Sequence, residues 1–129
     1  MAGELLLDTS ILVDVLAGSR EAQSVVSGST RAYVPSIAMG ELFFGAERAN
    51  RRTAELARVQ RFAIINEVLP CDLVTARFYG EIRHALRRKG RPIPGNDIWI
   101  AALAQQHDLT LATRDAHFRE VDALTLLSW

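Results

Sequence analysis

Asp8 follows the apolar run Leu5-Leu6-Leu7, and Asp115 comes just after Leu109-Thr110-Leu111-Ala112-Thr113. Glu41 lies inside the apolar stretch 37–44, and Asp97 opens Ile98-Trp99-Ile100-Ala101-Ala102-Leu103. Each of these four acids sits where an apolar segment meets a turn or a helix. A carboxylate beside buried surface costs free energy unless a partner offsets its desolvation. Several carboxylates gathered in one cleft suit a hard divalent cation with oxygen ligands. That chemistry is metal-assisted reaction at phosphates.

Each acid also has a plainer reading. Asp8-Thr9-Ser10 reads as a helix start with Asp or Thr as the cap. Asp97, after the rigid turn Pro92-Ile93-Pro94-Gly95, reads as an N-cap, and Asp115 as the start of a short helical turn through Phe118. Glu41 is harder to explain in this way. On a helix it shares a face with Ile37 and Phe44, where an exposed Glu would have polar neighbours. Gly40 beside it costs about 1 kcal/mol of helix stability relative to Ala, and is expected to let another backbone come close. Asp14, Asp72, Asp108 and Asp122 read as surface, cap or turn residues. His84, His107 and His117 show no HExxH spacing and read the same way.

The elements that must position the acids follow from the apolar pattern. Candidate strands at 5–7, 32–34, 68–69, 109–113 and 124–127 are continuous apolar runs, which suits a parallel sheet covered on both faces. Helical patterns lie between them at 10–17, 20–28, 36–49, 53–66, 72–89 and 97–107. In 72–89, Val74, Phe78, Ile82 and Leu86 recur along one face, Asp72 is placed as N-cap and Gly90 as C′. The helix from Asp97 is apolar nearly all the way round and is expected to be buried. This alternation implies a three-layer α/β fold, a short parallel central sheet of about five strands flanked by helices. Sites in such sheets form beyond the carboxyl ends of the strands, where all four acids can gather.

The 129 residues are expected to form a single domain, half apolar, with few Pro or Gly. Lys+Arg and Asp+Glu balance at 15 each, which argues against broad DNA coating. Arg48, Arg51 and Arg52 are read as ending one helix, and Arg87, Arg88, Lys89 and Arg91 as ending another. Cations there are stabilising without a ligand, but two such clusters also suit a phosphate backbone crossing near an acidic site. Cys71, the only cysteine, excludes an intrachain disulfide and a thiolate zinc site. The first Lys or Arg is Arg20, so no secretory signal is read, and no run is long enough to span a bilayer. A cytoplasmic setting is expected.

The chain resembles the PIN domains, most of all the small VapC-type ribonuclease toxins, over essentially its whole length. The resemblance rests on Leu6-Leu7-Asp8-Thr9-Ser10, Pro35-Ser36-Ile37-Ala38-Met39-Gly40-Glu41-Leu42, Asn96-Asp97-Ile98-Trp99-Ile100-Ala101-Ala102 and Thr113-Arg114-Asp115-Ala116-His117-Phe118, in that order and spacing. It implies a catalytic quartet of Asp8, Glu41, Asp97 and Asp115, with Asp8, Asp97 and Asp115 holding Mg²⁺ or Mn²⁺. Thr9 or Ser10, and Thr113, would orient the site with their hydroxyls. It further implies cleavage of structured RNA such as tRNA or rRNA, with Arg48, Arg51, Arg52, Arg87 and Arg88 as candidate RNA contacts. The expected partners are a second copy in a homodimer and a VapB-like antitoxin, through which alone DNA would be met.

Other classes fit less well. A phosphatase of this fold would want Asp-x-Asp after the first strand, and Ser10 stands where the second Asp belongs. A receiver-type domain would want an acidic pair and a later Lys after a strand, and neither is present. A PIN nuclease outside a toxin–antitoxin pair, or a PIN-like module that only binds partners, remains the alternative. Metal binding separates that last case from an enzyme.

Overall fold

Leu5, Leu6 and Leu7 are all almost fully buried, and they point alternately to two different cores. Leu6 packs with Ile82, Leu86 and the helix around Ile100, whereas Leu5 and Leu7 pack with Ile11, Leu12, Val34 and Ala38. A strand whose successive side chains enter two cores must be covered on both faces. The computed structural model describes residues 2–129 and has that architecture.

Among the described residues the elements run β1 (Ala2–Leu7), α1 (Thr9–Leu16), α2 (Arg20–Ser27), β2 (Ser29–Pro35), α3 (Ser36–Glu47), α4 (Arg52–Ile65), β3 (Glu67–Leu69), α5 (Leu73–Arg88), α6 (Gly95–Gln106), β4 (Thr110–Ala112) and β5 (Leu126–Leu127). A 3₁₀ turn, Ala116–Glu120, follows β4. The strands form one sheet in the order β3-β2-β1-β4-β5, parallel throughout. The three-layer α/β expectation holds, with five strands and six α-helices near their expected places.

The order places β1 at the centre, with β2 on one side and β4 on the other. The chain builds outward from β1 through β2 to β3, then returns to start the other half at β4. The crevice beyond the carboxyl ends of β1 and β4 is thus the point where the winding reverses, the usual place for a ligand in such sheets. Asp8 directly follows β1, and Thr113 to Asp115 follow β4.

The helix α5 starts as expected. Asp72 caps it in a reciprocal box with Thr75, and Gly90 adopts a left-handed φ of 67° just past its end. Its buried stripe is displaced at the first turn, however. Val74 is half exposed, and Thr75 is fully buried instead, where its hydroxyl bonds Gln106 at the end of α6. That bond and the short connection make α5 and α6 an antiparallel pair. The α6 helix is buried from Ile100 to Ala104, as its all-round apolarity requires.

Three expectations are corrected here. Arg51 and Arg52 do not end a helix: α3 stops at Glu47, Arg51 is the N-cap of α4 and Arg52 its first residue. A cation at that end opposes the helix dipole, and Arg52 is compensated by an ion pair with Glu47 at 2.6 Å. Gly40 has no other atoms near its missing side chain, so it accommodates no close backbone. Phe44 is 62% exposed, so the face it shares with Glu41 borders solvent and is not core.

Candidate metal centre at the strand ends

Asp8 is almost completely buried, and its carboxylate is held by three donors. Its Oδ1 accepts from the Thr9 amide at 2.7 Å, which makes it the N-cap of α1. Its Oδ2 accepts from the Ser10 hydroxyl at 3.1 Å and the Thr113 hydroxyl at 2.7 Å. Of the hydroxyls expected to orient the site, those of Ser10 and Thr113 therefore reach Asp8. The Thr9 hydroxyl is buried without a hydrogen bond, and Thr9 contributes its backbone amide. A carboxylate has about four acceptor positions, so Asp8 keeps one on Oδ1.

Asp97 is in the first turn of α6, not at its cap, which is Pro94. The N-cap reading of Asp97 is thereby corrected. Asp115 caps the 3₁₀ turn, accepting from the His117 amide at 2.9 Å. The side chain of His117 then folds back. Its Nδ1 lies 3.2 Å from Oδ2 of Asp97 and 3.2 Å from Oδ1 of Asp115. One ligating atom from each of Asp97, Asp115 and His117 falls within 4.8 Å of the others.

His117 is the residue that reasoning from sequence set aside. Its signal is weak: only the spacing two residues after Asp115 at the start of a tight turn. Asp14 was also set aside, yet it is partly buried and forms an ion pair with Arg114, which lies over the ring of Trp129.

Electrostatics mark Asp97 most strongly. Burial raises its pKa above the ordinary carboxylate value, and the charges of Asp8 and Asp115 raise it further. The hydrogen bond and charge of His117 act in the opposite direction. Asp97 is thus near enough to Asp8 and to Asp115 to be repelled by each. Glu41 stands beside this group, not within it: its Oε1 accepts from the Asn96 side chain at 2.6 Å, next to Asp97 in sequence.

This donor set fits a divalent cation. Opposite ligands of octahedral Mg²⁺ are separated by roughly 4.2 Å, twice its bond length of about 2.1 Å, close to the spread found here. A cation would also relieve the repulsion that raises the Asp97 pKa. Oxygen donors suit Mg²⁺ or Mn²⁺, and the imidazole extends the set to a softer ligand.

The candidate RNA contacts lie elsewhere on the surface. Arg48 stacks over Phe44 at 4.8 Å, Arg51 is exposed, and Arg52 is engaged by Glu47. Arg87 and Arg88 are exposed in the last turn of α5. Among the described residues, no helix is long and apolar enough to cross a membrane.

A parallel sheet with an acidic group at its winding reversal defines a class, and comparison with known proteins agrees. The PIN domain family model matches residues 5–124. The tRNA(fMet)-specific endonuclease VapC of Shigella flexneri is 30% identical over 131 residues, covering 98% of each chain. Ribonuclease VapC5 of Mycobacterium tuberculosis is 31% identical over 120 residues, covering 91% of this chain and 87% of that one. A structure of DNA-bound VapBC from Salmonella typhimurium superposes with a TM-score of 0.91 at 28% identity, covering 100% of this chain and 99% of that one. The chain belongs to the PIN domain family, among its VapC-type ribonucleases. Nucleases of this family use divalent metal ions.

Proposed function

We propose that the 129 residues act as a single PIN-like domain, a metal-dependent endoribonuclease and the toxin of a VapBC-like pair. The observation that carries this reading is the grouping of ligand atoms of Asp97, Asp115 and His117 within 4.8 Å at the β1/β4 crevice, with Asp8 near enough to Asp97 to help burial raise its pKa. Relatives named ribonuclease or endonuclease, aligned over nearly the whole chain, support the same chemistry.

Asp8, Asp97 and Asp115 would hold Mg²⁺ or Mn²⁺, with His117 in reach as a further ligand. The bound ion supplies Lewis-acid activation of water and stabilises charge on the phosphate. The protein's own groups prepare the site. Thr113 and Ser10 fix the Asp8 carboxylate, and Asn96 fixes that of Glu41. Glu41, set beside the metal group, is placed to accept or return a proton at the reacting oxygen. The first turn of α6 brings the positive end of its dipole to the same crevice, which favours an anionic phosphate.

The substrate in this reading is structured RNA such as tRNA or rRNA. Arg48, Arg51, Arg87 and Arg88 are free to meet its backbone, and Arg52 less so because Glu47 engages it. A VapB-like antitoxin, homodimerisation, DNA contact through the antitoxin alone and a cytoplasmic setting complete the proposal. The superposition on a DNA-bound VapBC complex supports the antitoxin.

The test is direct. Purified protein freed of antitoxin should cut a subset of structured RNAs with Mg²⁺ or Mn²⁺ and stop in EDTA. Asp8→Asn and Asp97→Asn should abolish cutting with the circular dichroism spectrum kept. Undiminished cleavage by both variants would remove the assignment.

A further inference from the structure

A cavity of about 300 Å³ opens between α5 and α6, against the same first turn of α6 that carries Asp97. Gly95 and Ile98 line it, and Trp99 stacks on its wall residue Tyr79 with ring centroids 4.3 Å apart. These three positions, spaced three and four apart, form one face of α6. At roughly 100° per residue, Asp97 points about 150° away from that face. The cavity and the carboxylates therefore flank one helix end, separated by about one helix diameter, some 10 Å. A polymer crossing the start of α6 would meet both.

The lining combines apolar surface with uncompensated positive charge. Leu86 and Ile98 are buried and Ile93 is half-buried, while Arg83 and Arg87 are exposed. Among the described residues, Arg77 pairs with Glu81 on α5 and Lys89 pairs with Asp122 just past its end, while Arg88 is exposed. Arg83 instead donates to the Tyr79 hydroxyl at 3.0 Å. Neither Arg83 nor Arg87 has a carboxylate within ion-pair distance among the described residues. They are four apart on one helix face, so they repel each other until an anion is placed between them.

We propose that this cavity is a subsite for one nucleotide of a single-stranded RNA segment flanking the scissile phosphate. Its base lies against Ile93, Leu86 and Ile98, and its phosphate is held by Arg83 and Arg87, whose planar forks match phosphate oxygens. A volume near 300 Å³ is at the small end of ligand sites, suited to a base and ribose and too small for a folded element. Trp99 covers one face of Tyr79, so the apolar wall, not that ring face, receives the base. This inference rests on the proposed RNA cleavage and extends it to how the substrate strand is led past Asp97.

The experiment is an NMR titration of the whole protein in EDTA with an unstructured uridine pentaribonucleotide, so that binding is read without cleavage. Shifts should centre on the Ile93 and Gly95 amides and the Trp99 indole N–H. Arg83→Ala and Arg87→Ala should each weaken binding about tenfold, as expected for loss of a charge-assisted hydrogen bond. Ile93→Trp, which fills the cavity and leaves both arginines, should do the same, with thermal melts confirming that each variant folds. Shifts confined to other surfaces, or affinity unchanged in all three variants, overturn the subsite. Equal shifts with inorganic phosphate alone, or with a glutamate pentapeptide, also overturn it. Cleavage by the wild type with KM unchanged in Ile93→Trp removes the subsite and leaves the nuclease reading intact. Pentamer shifts at these three groups without any cleavage in Mn²⁺ do the reverse.

Discussion

The hydroxyl of Thr113 donates to Oδ2 of Asp8 at 2.7 Å and accepts from the Asp115 amide at 2.9 Å. One buried side chain thus ties the end of β1 to the turn that follows β4. Asp8, 105 positions away in sequence, is fixed relative to Thr113 and Asp115 by two bonds. The branching of its side chain suits Thr to this place, because a methyl can stay in the buried crevice while the hydroxyl bonds both neighbours.

Thr113→Val keeps the shape and removes both bonds. It leaves a buried carboxylate oxygen with Ser10 as its one donor and the Asp115 amide unpaired. Stability should fall by about 1–3 kcal/mol, the cost of buried polar groups left unsatisfied. Thr113→Ser should recover most of it. Denaturant melts of the three proteins measure this, and equal midpoints for Val and wild type would show that the hydroxyl bridge does not organise the site.

The raised pKa of Asp97 fixes a sign for metal-free stability. A carboxyl whose folded pKa exceeds its unfolded value of about 3.9 favours the folded state fully below that value. The contribution is lost as pH rises through the raised folded value. In EDTA at neutral pH, Asp97→Asn should therefore be as stable as wild type or more so, and the gap should close towards pH about 4. Added Mn²⁺ should raise the wild-type melting temperature and move the variant much less. A variant less stable than wild type in EDTA at pH 7 would contradict this electrostatic account.

Glu41 is separable from the metal group by the same logic. Its carboxylate meets Asn96, not Asp97 or Asp115. Glu41→Gln should lower the cleavage rate by roughly 10²-fold or more, the usual scale for a general acid–base group, with Mn²⁺ affinity nearly kept. Calorimetric titration beside single-turnover cleavage decides it, and a collapse of metal affinity would make Glu41 a ligand instead.

The strands and α6 were legible because continuous apolar runs have few other places to go in a chain of this length. The acids were legible because each interrupts such a run, although their approach depends on strand order, which local pattern does not encode. His117 was not legible. Its partners are Asp115, reached only through a 3₁₀ turn, and Asp97, on a helix twenty residues earlier. The boundary at Arg51 was misplaced because a break in helical hydrogen bonding there leaves no Gly or Pro to mark it. The apolar neighbours Ile37 and Phe44 suggested that the face of Glu41 is enclosed, yet α3 turns Phe44 to solvent.

His117 acts on Asp97 by opposing the rise in its pKa. Removing the imidazole in His117→Ala should raise that pKa further, so that metal competes with a proton over a wider range. Mn²⁺ affinity should fall, most at the acid end, with the deficit closing as pH increases. A deficit that is largest at neutral pH and shrinks towards the acid end, as for an imidazole that must lose its proton to bind metal, would instead make His117 a direct ligand, and no deficit at any pH would remove it from the site. Isothermal titration at several pH values separates these outcomes.

The ion pair of Asp14 with Arg114 joins α1 to the residue between Thr113 and Asp115, and the Arg114 guanidinium also lies 5.7 Å from the centre of the Trp129 ring. The Asp14 side chain is 29% exposed, so it is partly withdrawn from water. Losing one partner of such a pair strands the other charge, whereas losing both does not. Arg114→Ala should therefore destabilise the protein more than the double variant Asp14→Asn with Arg114→Ala. A coupling of about 1 kcal/mol is expected for contacting charges of this exposure. The turn it anchors carries Asp115, so Arg114→Ala should also weaken Mn²⁺ binding several-fold. A double-mutant cycle by denaturant melts, with metal titrations on each corner, gives both quantities. Additive stabilities with unchanged metal affinity would leave the pair as a surface contact with no part in holding Asp115.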